Sequence, residues 1–403
     1  MQNSETKILS QFHSGNVVSL LQQLVRIRSD NPPCQLGEIA SFVAKHLRAA
    51  GLQVQLEGDA GDGWERLNVI GTLKGAGGGP TLILAAHTDV VPPYDLSKWQ
   101  VDPFAAEVVN GEIIARGTAD TKGSLAAMMA AVEAIAASGV KLKGDLVLLA
   151  WAGDEATPLG ARYFNGIAYL ADNDRLKGDA MILGEPYDLK IVYLSRGRVW
   201  FEIEIGGEAT HSATGKGINA IRKAMNLIED IYTIKVGEHP VLGKDSINVG
   251  TIKGGTQPNI VPDSCTFTFD IRFGPPLSVG AVMGMVEEKI KQRQAADPQF
   301  VLKSLKVTEK REPLGFAADQ PLNLALERAG KIALNVDLEL GGALSFGDTA
   351  DWKDRVGIKE ACLFGPGKTK EAHAVNERIA VADLVAAAKV YALAASYYCG
   401  VAE

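Results

Sequence analysis

Two histidines and five carboxylates stand out in this chain by type and by setting. His87-Thr88-Asp89 follows directly on the apolar run Thr81–Ala86. On an extended backbone, positions two apart share a face, so imidazole and carboxylate point the same way. A carboxylate behind a metal-bound imidazole can accept its second N–H and fix the tautomer. Asp120 lies in Arg116-Gly117-Thr118-Ala119-Asp120-Thr121-Lys122-Gly123-Ser124, just before a long Ala-rich stretch. A carboxylate there can cap a helix, or it can bridge two metal ions about 3.5–4 Å apart. Gly153-Asp154-Glu155 follows another apolar run, Asp145–Trp151. Paired carboxylates in that position can divide labour, one holding a metal and the other moving protons. Glu185 comes after the short run Ala180–Leu183, and His373 sits in Glu371-Ala372-His373-Ala374-Val375-Asn376-Glu377, beyond Gly365-Pro366-Gly367. Taken singly, these are a surface pair, a cap and a solvated turn. As a set they are a mixed nitrogen and oxygen ligand system that suits two divalent ions, Zn first, with Mn or Co as alternatives. The chemistry such a set performs is hydrolysis by activated water.

The elements that must carry these residues follow from periodicity. Asn16–Arg28 and Gly37–Ala50 have apolar residues at helical spacing, and Lys122–Ala137 is rich in Ala, Met and Leu. The short apolar runs between them are strands buried on both faces. Strands and helices in alternation imply an α/β fold with a mostly parallel sheet flanked by helices. The chemistry-bearing residues then lie at the carboxyl ends of strands, where such sheets bind ligands. Near Arg196 the style changes. Val199–Ile205 alternates apolar and charged residues, as a strand with one wet face does. An amphipathic helix with Ile221, Met225, Ile228 and Tyr232 on one side follows, then strands at Asn248–Ile252 and Cys265–Phe273, and a helix with Val282, Val286 and Ile290 inward. This predicts an inserted α+β domain with an antiparallel sheet over residues 196–308. The flanking segments 1–195 and 309–403 form the two parts of one catalytic domain. The second part contains a helix at Gln320–Ala333, an apolar segment at Ala361–Phe364 and a closing helix at Val381–Tyr397.

Composition narrows the function classes. With 403 residues, 46% hydrophobic and 22% charged, the chain is globular and long enough for two domains. A formal charge of −7 and the lack of any Lys/Arg run argue against nucleic acid as a partner. No stretch is apolar enough to span a bilayer, and Met1–Ser10 lacks a signal-peptide core. The expectation is a cytoplasmic protein. Cys34, Cys265, Cys362 and Cys399 are scattered without a CxxC pair, as free thiols in a reducing compartment are.

Nearly the whole chain, from Leu20-Leu21-Gln22-Gln23-Leu24-Val25 to His373, resembles the co-catalytic di-zinc peptidases and deacylases. That family includes acetylornithine deacetylase, succinyl-diaminopimelate desuccinylase, glutamate carboxypeptidase and aminoacylase. The resemblance is carried by the spaced segments HTD, GTADTKG, DE, GEP, THSATGKGINAI, GGTQPNIVPD, DIR and AHAVNE. It implies that His87, Asp120 and Glu185 hold one metal, and that Asp120, Glu155 and His373 hold the other, with Asp120 bridging. It implies that Asp89 is the carboxylate behind His87. In the inserted domain, His211 would reach across a homodimer interface to polarise the scissile carbonyl. Asn259 and Arg272 would contact substrate, Arg272 at a carboxylate. The implied activity is cleavage of an amide bond in a small peptide or N-acyl amino acid with a free carboxylate.

One departure bears on activity. The family pattern is Asp-Glu-Glu, whose first Glu is the general base and whose second binds metal. Matching Gly160-Ala161-Arg162 to the family's Gly-Ser-Arg makes Glu155 the ligand and puts Asp154, one methylene shorter, at the base position. The other alignment keeps Glu155 as base and leaves Ala156 where a ligand belongs. A non-catalytic metal- and ligand-binding relative, weakened at Asp154, is the alternative to an active hydrolase.

Overall fold

Runs of four to six residues, too short and too uniformly apolar for surface helices, become the centre of an eight-stranded sheet. The computed structural model describes residues 2–59, 65–155, 165–344 and 356–402. Strand Leu82–His87 pairs in parallel with Leu146–Trp151 on one side and Ala180–Leu183 on the other, and Glu360–Leu363 extends the parallel set. All six side chains of Leu82–His87 and of Leu146–Trp151 are buried. This is what a strand covered by helices on both faces requires. The flanks are antiparallel. Arg66–Leu73 pairs with Leu146–Trp151, and Gln53–Asp59 forms the hairpin edge beyond it. These two strands carry polar residues at alternate positions and were not among the sequence expectations.

Lys122–Ala137 is helical over the range predicted. Twelve of its sixteen residues are buried, so it is a core helix rather than an amphipathic one. Buried Lys122 turns its ammonium onto the carbonyls of Leu24 (3.0 Å) and Ile27 (2.8 Å). It thereby satisfies acceptors where helix Ser14–Arg26 ends. The closing helix, Val381–Cys399, packs on this helix and on Ser14–Arg26 and Pro321–Leu334, within one continuous apolar core.

The chain divides into two compact units. The larger contains the eight-stranded sheet and resumes at Phe316 after the smaller one, which is built on Leu194–Gly315. In the smaller unit four antiparallel strands run in the order Ser246–Gly254, Ser264–Phe273, Gly197–Gly206, Val301–Arg311. Strand Ser264–Phe273 alternates strictly between partly exposed and buried positions, so one face is wet. Helix Val279–Ala296 buries Val279, Val282, Val286 and Ile290, each contributing about 1.5–3 kcal/mol by burial. Helix Ala220–Tyr232 corrects the reading of its inner face. The buried stripe is Ala220, Ala224, Leu227 and Ile231, while Met225 is 56% and Tyr232 49% exposed. Two apolar stripes lie side by side on this helix. The one with two alanines allows the closer approach to the sheet, so of the bulkier stripe only Ile221 and Ile228 pack half-buried against the core while Met225 and Tyr232 face out.

All four cysteines are buried and unpaired. Among the described residues no helix is long and apolar enough to cross a membrane.

Candidate metal centre

The carboxyl end of strand Leu82–His87 delivers His87 into the larger unit with no solvent exposure. Its Nδ1 lies 2.8 Å from the main-chain carbonyl of Asp89 and 3.7 Å from the Asp89 carboxylate. A carbonyl only accepts, so Nδ1 carries the proton and Nε2 faces inward. The expectation that the Asp89 carboxylate itself would take this N–H is therefore replaced. The main chain of Asp89 orients the ring. The carboxylate does something else: it accepts from Gly153 N (3.0 Å), Asp154 N (3.2 Å), Glu155 N (3.0 Å) and Asn31 Nδ2 (2.7 Å). Gly153 has φ 89, a left-handed conformation that glycine adopts without strain, and it curls three successive amides onto one anion.

Opposite His87 stands Asp120. Its Oδ1 lies 3.0 Å from His87 Nε2, and its Oδ2 lies 3.4 Å from His373 Nε2. His373 Nε2 is also 3.0 Å from Glu155 Oε1. His373 has φ 60, a conformation uncommon outside glycine that recurs where a side chain must be aimed. Ligand atoms of His87, Asp120 and Glu155 all fall within 4.8 Å of one another. Asp154 lies at the margin, its Oδ2 4.0 Å from His87 Nε2 and its side chain 29% exposed against 7% for Glu155. Glu185 is half-buried just past strand Ala180–Leu183 and stands outside the tight His87–Asp120–Glu155 group. Ala156 and Gly160-Ala161-Arg162, which bear on the alignment of Asp154 and Glu155, lie outside the described residues.

The electrostatics are those of a pocket built for positive charge. Burial alone would lower the His87 pKa, but Asp154, Asp120 and Asp89 hold it well above the ordinary value. Hydrogen bonds to Asp120 and Glu155 raise His373 to about 10. Burial, then the Asp120 charge, pushes Glu155 upward. Burial would raise Asp120 too, but both imidazoles pull it below the usual carboxylate range. With Nδ1 of His87 donating to a carbonyl, its Nε2 lone pair would meet a carboxylate oxygen at 3.0 Å. Two acceptors at that distance need a cation between them, a proton or a metal. The donor set fits divalent ions of the Zn, Mn or Co kind.

Three further residues hold the arrangement, and sequence reasoning gave none of them a role. The Glu377 carboxylate is completely buried and accepts from Arg116 Nη1 (2.6 Å), Gly117 N (3.0 Å), Ala119 N (2.8 Å) and Asp120 N (2.9 Å). Burial pushes this carboxyl up to about 7 against the pull of Arg116. All four of these contacts are donors, which the ionised form satisfies. Arg116 also reaches the carbonyl of His373 at 3.4 Å. Asn31 is the third, through Asp89. The available signal was position: Arg116 and Glu377 open and close the two segments that contain Asp120 and His373.

The remaining candidates lie in the smaller unit. His211 precedes a short turn at Ser212–Thr214, and its Nδ1 accepts from Ala213 N at 3.1 Å. Asn259 is beside it through Ser212 N to Asn259 O (2.9 Å) and the His211–Ile260 bridge. Arg272 ends a row of three arginines in register, Arg272, Arg198 and Arg311, on neighbouring strands. Its Nε donates to Asp270 Oδ2 at 2.7 Å.

Comparison with known proteins agrees with this geometry. Residues 83–397 match the peptidase family M20/M25/M40. An acetylornithine deacetylase of Aliivibrio fischeri is 28% identical over 355 residues, covering 85% of this chain and 86% of that protein. Among solved structures, aminopeptidase PepT of Bacillus cereus superposes with a TM-score of 0.78 at 20% identity, over 97% of this chain and 100% of that one. The YXEP protein of Bacillus subtilis, a dinuclear metal-binding peptidase, gives 0.71 at 16% identity, over 95% and 97%.

Proposed function

Since the chain belongs to the peptidase family M20/M25/M40 and is a metal-dependent amide hydrolase, we propose that its substrate is a short peptide or N-acyl amino acid with a free carboxylate. The observation that carries the reading is the Asp120 carboxylate, which offers one oxygen to His87 and the other to His373. We assign His87, Asp120 and Glu185 to one ion and Asp120, Glu155 and His373 to the other, with zinc as the first choice and manganese or cobalt next. Two divalent ions held there would supply concentrated positive charge that acidifies water and polarises a carbonyl. Asp154, at the open margin, takes a proton from the attacking water on its carboxylate and returns it to the leaving nitrogen. Asp89 holds the Asp154 and Glu155 amides. His211 accepts at Nδ1, so its neutral ring keeps a proton at Nε2 and can donate to the developing oxyanion. Asn259 and Arg272 contact the substrate. With Nε engaged by Asp270, Arg272 offers its Nη pair to the carboxylate.

The larger unit carries the catalytic role, and the smaller unit, which runs past the expected limit of 308 to Gly315, the dimerising or covering one. A homodimer along edge strand Ser246–Gly254 is supported by exposed Ile252 (47%), Met225 (56%) and Tyr232 (49%). Unpaired buried cysteines accord with the cytoplasm. The test is turnover of a panel of N-acyl amino acids and dipeptides, before and after chelation, with zinc, manganese or cobalt restored. Turnover that survives complete removal of metal, checked by elemental analysis, would overturn the reading.

A further inference from the structure

Asp120 and His373 belong to loops 253 positions apart in the chain. Side chains that share an ion must be held to a few tenths of an ångström, so something has to fix one loop against the other. Glu377 is placed to do so. It stands four residues after His373. Its Oε2 accepts from Arg116 Nη1 and Gly117 N, and its Oε1 accepts from Ala119 N and Asp120 N. Glu377 O also accepts from Ala115 N at 3.0 Å. Arg116 closes the ring, since its second terminal nitrogen reaches His373 O. One buried anion thus collects the amides of the Asp120 loop and hangs from the loop that carries His373.

We propose that Glu377 is a positioning residue that sets the affinity of the ion shared by Asp120 and His373. The inference rests on the two-ion reading given above. It assigns the Arg116–Glu377 pair to ligand placement rather than to general stability. A Gln at this position keeps the shape but puts an NH2 group against two N–H donors. Two of the four contacts are then lost and two donors are turned against a third. The Asp120 loop must move, and with it the alignment of Asp120 with the His373 imidazole.

The experiment is cobalt titration of the metal-free protein, followed by calorimetry and by the visible absorption of the bound ion. Four proteins are compared: wild type, Glu377→Gln, His373→Ala and the double variant. Wild type binding two ions is the result the two-ion reading needs, and its failure there would be seen before any variant is examined. Glu377→Gln is expected to weaken one ion by about 10- to 100-fold, the range for residues that orient metal ligands. The other ion also uses Asp120 but not His373, whose carbonyl Arg116 holds, and should weaken clearly less. In the His373→Ala background, where the shared ion is already lost, adding Glu377→Gln should weaken the remaining ion, which Asp120 also holds, by no more than Glu377→Gln alone weakens it. Equal weakening of both ions, or a loss of the remaining ion in the double variant larger than Glu377→Gln alone causes, would show a merely structural residue and overturn the proposal. So would unchanged affinity for both. If Glu377→Gln does not fold, Glu377→Asp, which keeps the charge and shortens the reach, is carried through the same cycle with the same outcomes.

Discussion

The Asp89 carboxylate makes a quantitative prediction, because its four contacts divide evenly between its two oxygens. Oδ1 accepts from Gly153 N and Asp154 N, and Oδ2 accepts from Asn31 Nδ2 and Glu155 N. In Asp89→Asn, whichever end becomes the NH2 group faces two donors. Two hydrogen bonds to a charged, fully buried acceptor are lost. At about 1.5–3 kcal/mol each this amounts to roughly 3–6 kcal/mol. For a unit of this size that lowers the unfolding midpoint by on the order of 10 °C. The amides freed are those of the loop bearing Asp154 and Glu155, so turnover should fall about 100-fold, as for an ångström-scale misplacement. Asn31→Ala is the companion. It removes one donor from Asp89 and has no hydrogen bond to His87. It should cost about 1–3 kcal/mol and also lower turnover. The assays are thermal unfolding of metal-free protein and turnover at matched metal content. If Asp89→Asn unfolded within about 2 °C of wild type while Asn31→Ala stayed fully active, the loop-holding account would be refuted. The carboxylate would then act through His87 alone.

Three other outcomes are expected. Asp154→Asn should bind both ions yet lose turnover, whereas Asp154→Glu should bind both and turn over faster, because the longer side chain recovers the reach of a Glu base. A fully active Asn variant at full metal content would remove Asp154 from the proton path. His211→Ala should retain metal and lose turnover by about 100- to 1000-fold, the effect of deleting an oxyanion donor, and unchanged kinetics would exclude that role. If the proposed homodimer forms along the exposed edge strand, Ile252→Asp should shift the sedimentation of the protein toward the monomer; an unaltered sedimentation coefficient would overturn that dimer.

The parts of the fold legible in the sequence were those where burial is nearly complete. Strand Ala180–Leu183 and helix Lys122–Ala137 match their expected limits, because nearly all-round burial leaves a mostly apolar run that needs no phase. Where an element is only half buried, phase decides, and there the reading slipped. Helix Ala220–Tyr232 offers Ile221, Met225, Ile228 and Tyr232 as the bulkier stripe, yet the alanine stripe beside it faces the sheet. Strands Gln53–Asp59 and Arg66–Leu73 were missed because an edge hairpin with charged residues lacks an apolar run. At the site, side chains that converge through strand ends could be picked out by type and position. Residues that act through main-chain amides could not. Glu377 and Asp89 each collect three amides, and an amide leaves no mark in a sequence.

The dependence of Asp120 on a residue 257 positions later has a consequence for synthesis. A ribosome adding about 5–20 residues per second takes about 13–50 s to travel from Asp120 to Glu377. Throughout that interval the emerging chain displays His87, Asp120 and the Asp154–Glu155 pair without the imidazole of His373, without the anion that gathers the Asp120 loop and without the closing helix Val381–Cys399. If the two-ion site proposed above holds, a nascent chain is an incomplete chelator until His373 and Glu377 have been made. On that reading, hydrolytic competence waits for the segment that carries His373 and Glu377, which follows the smaller unit in the chain.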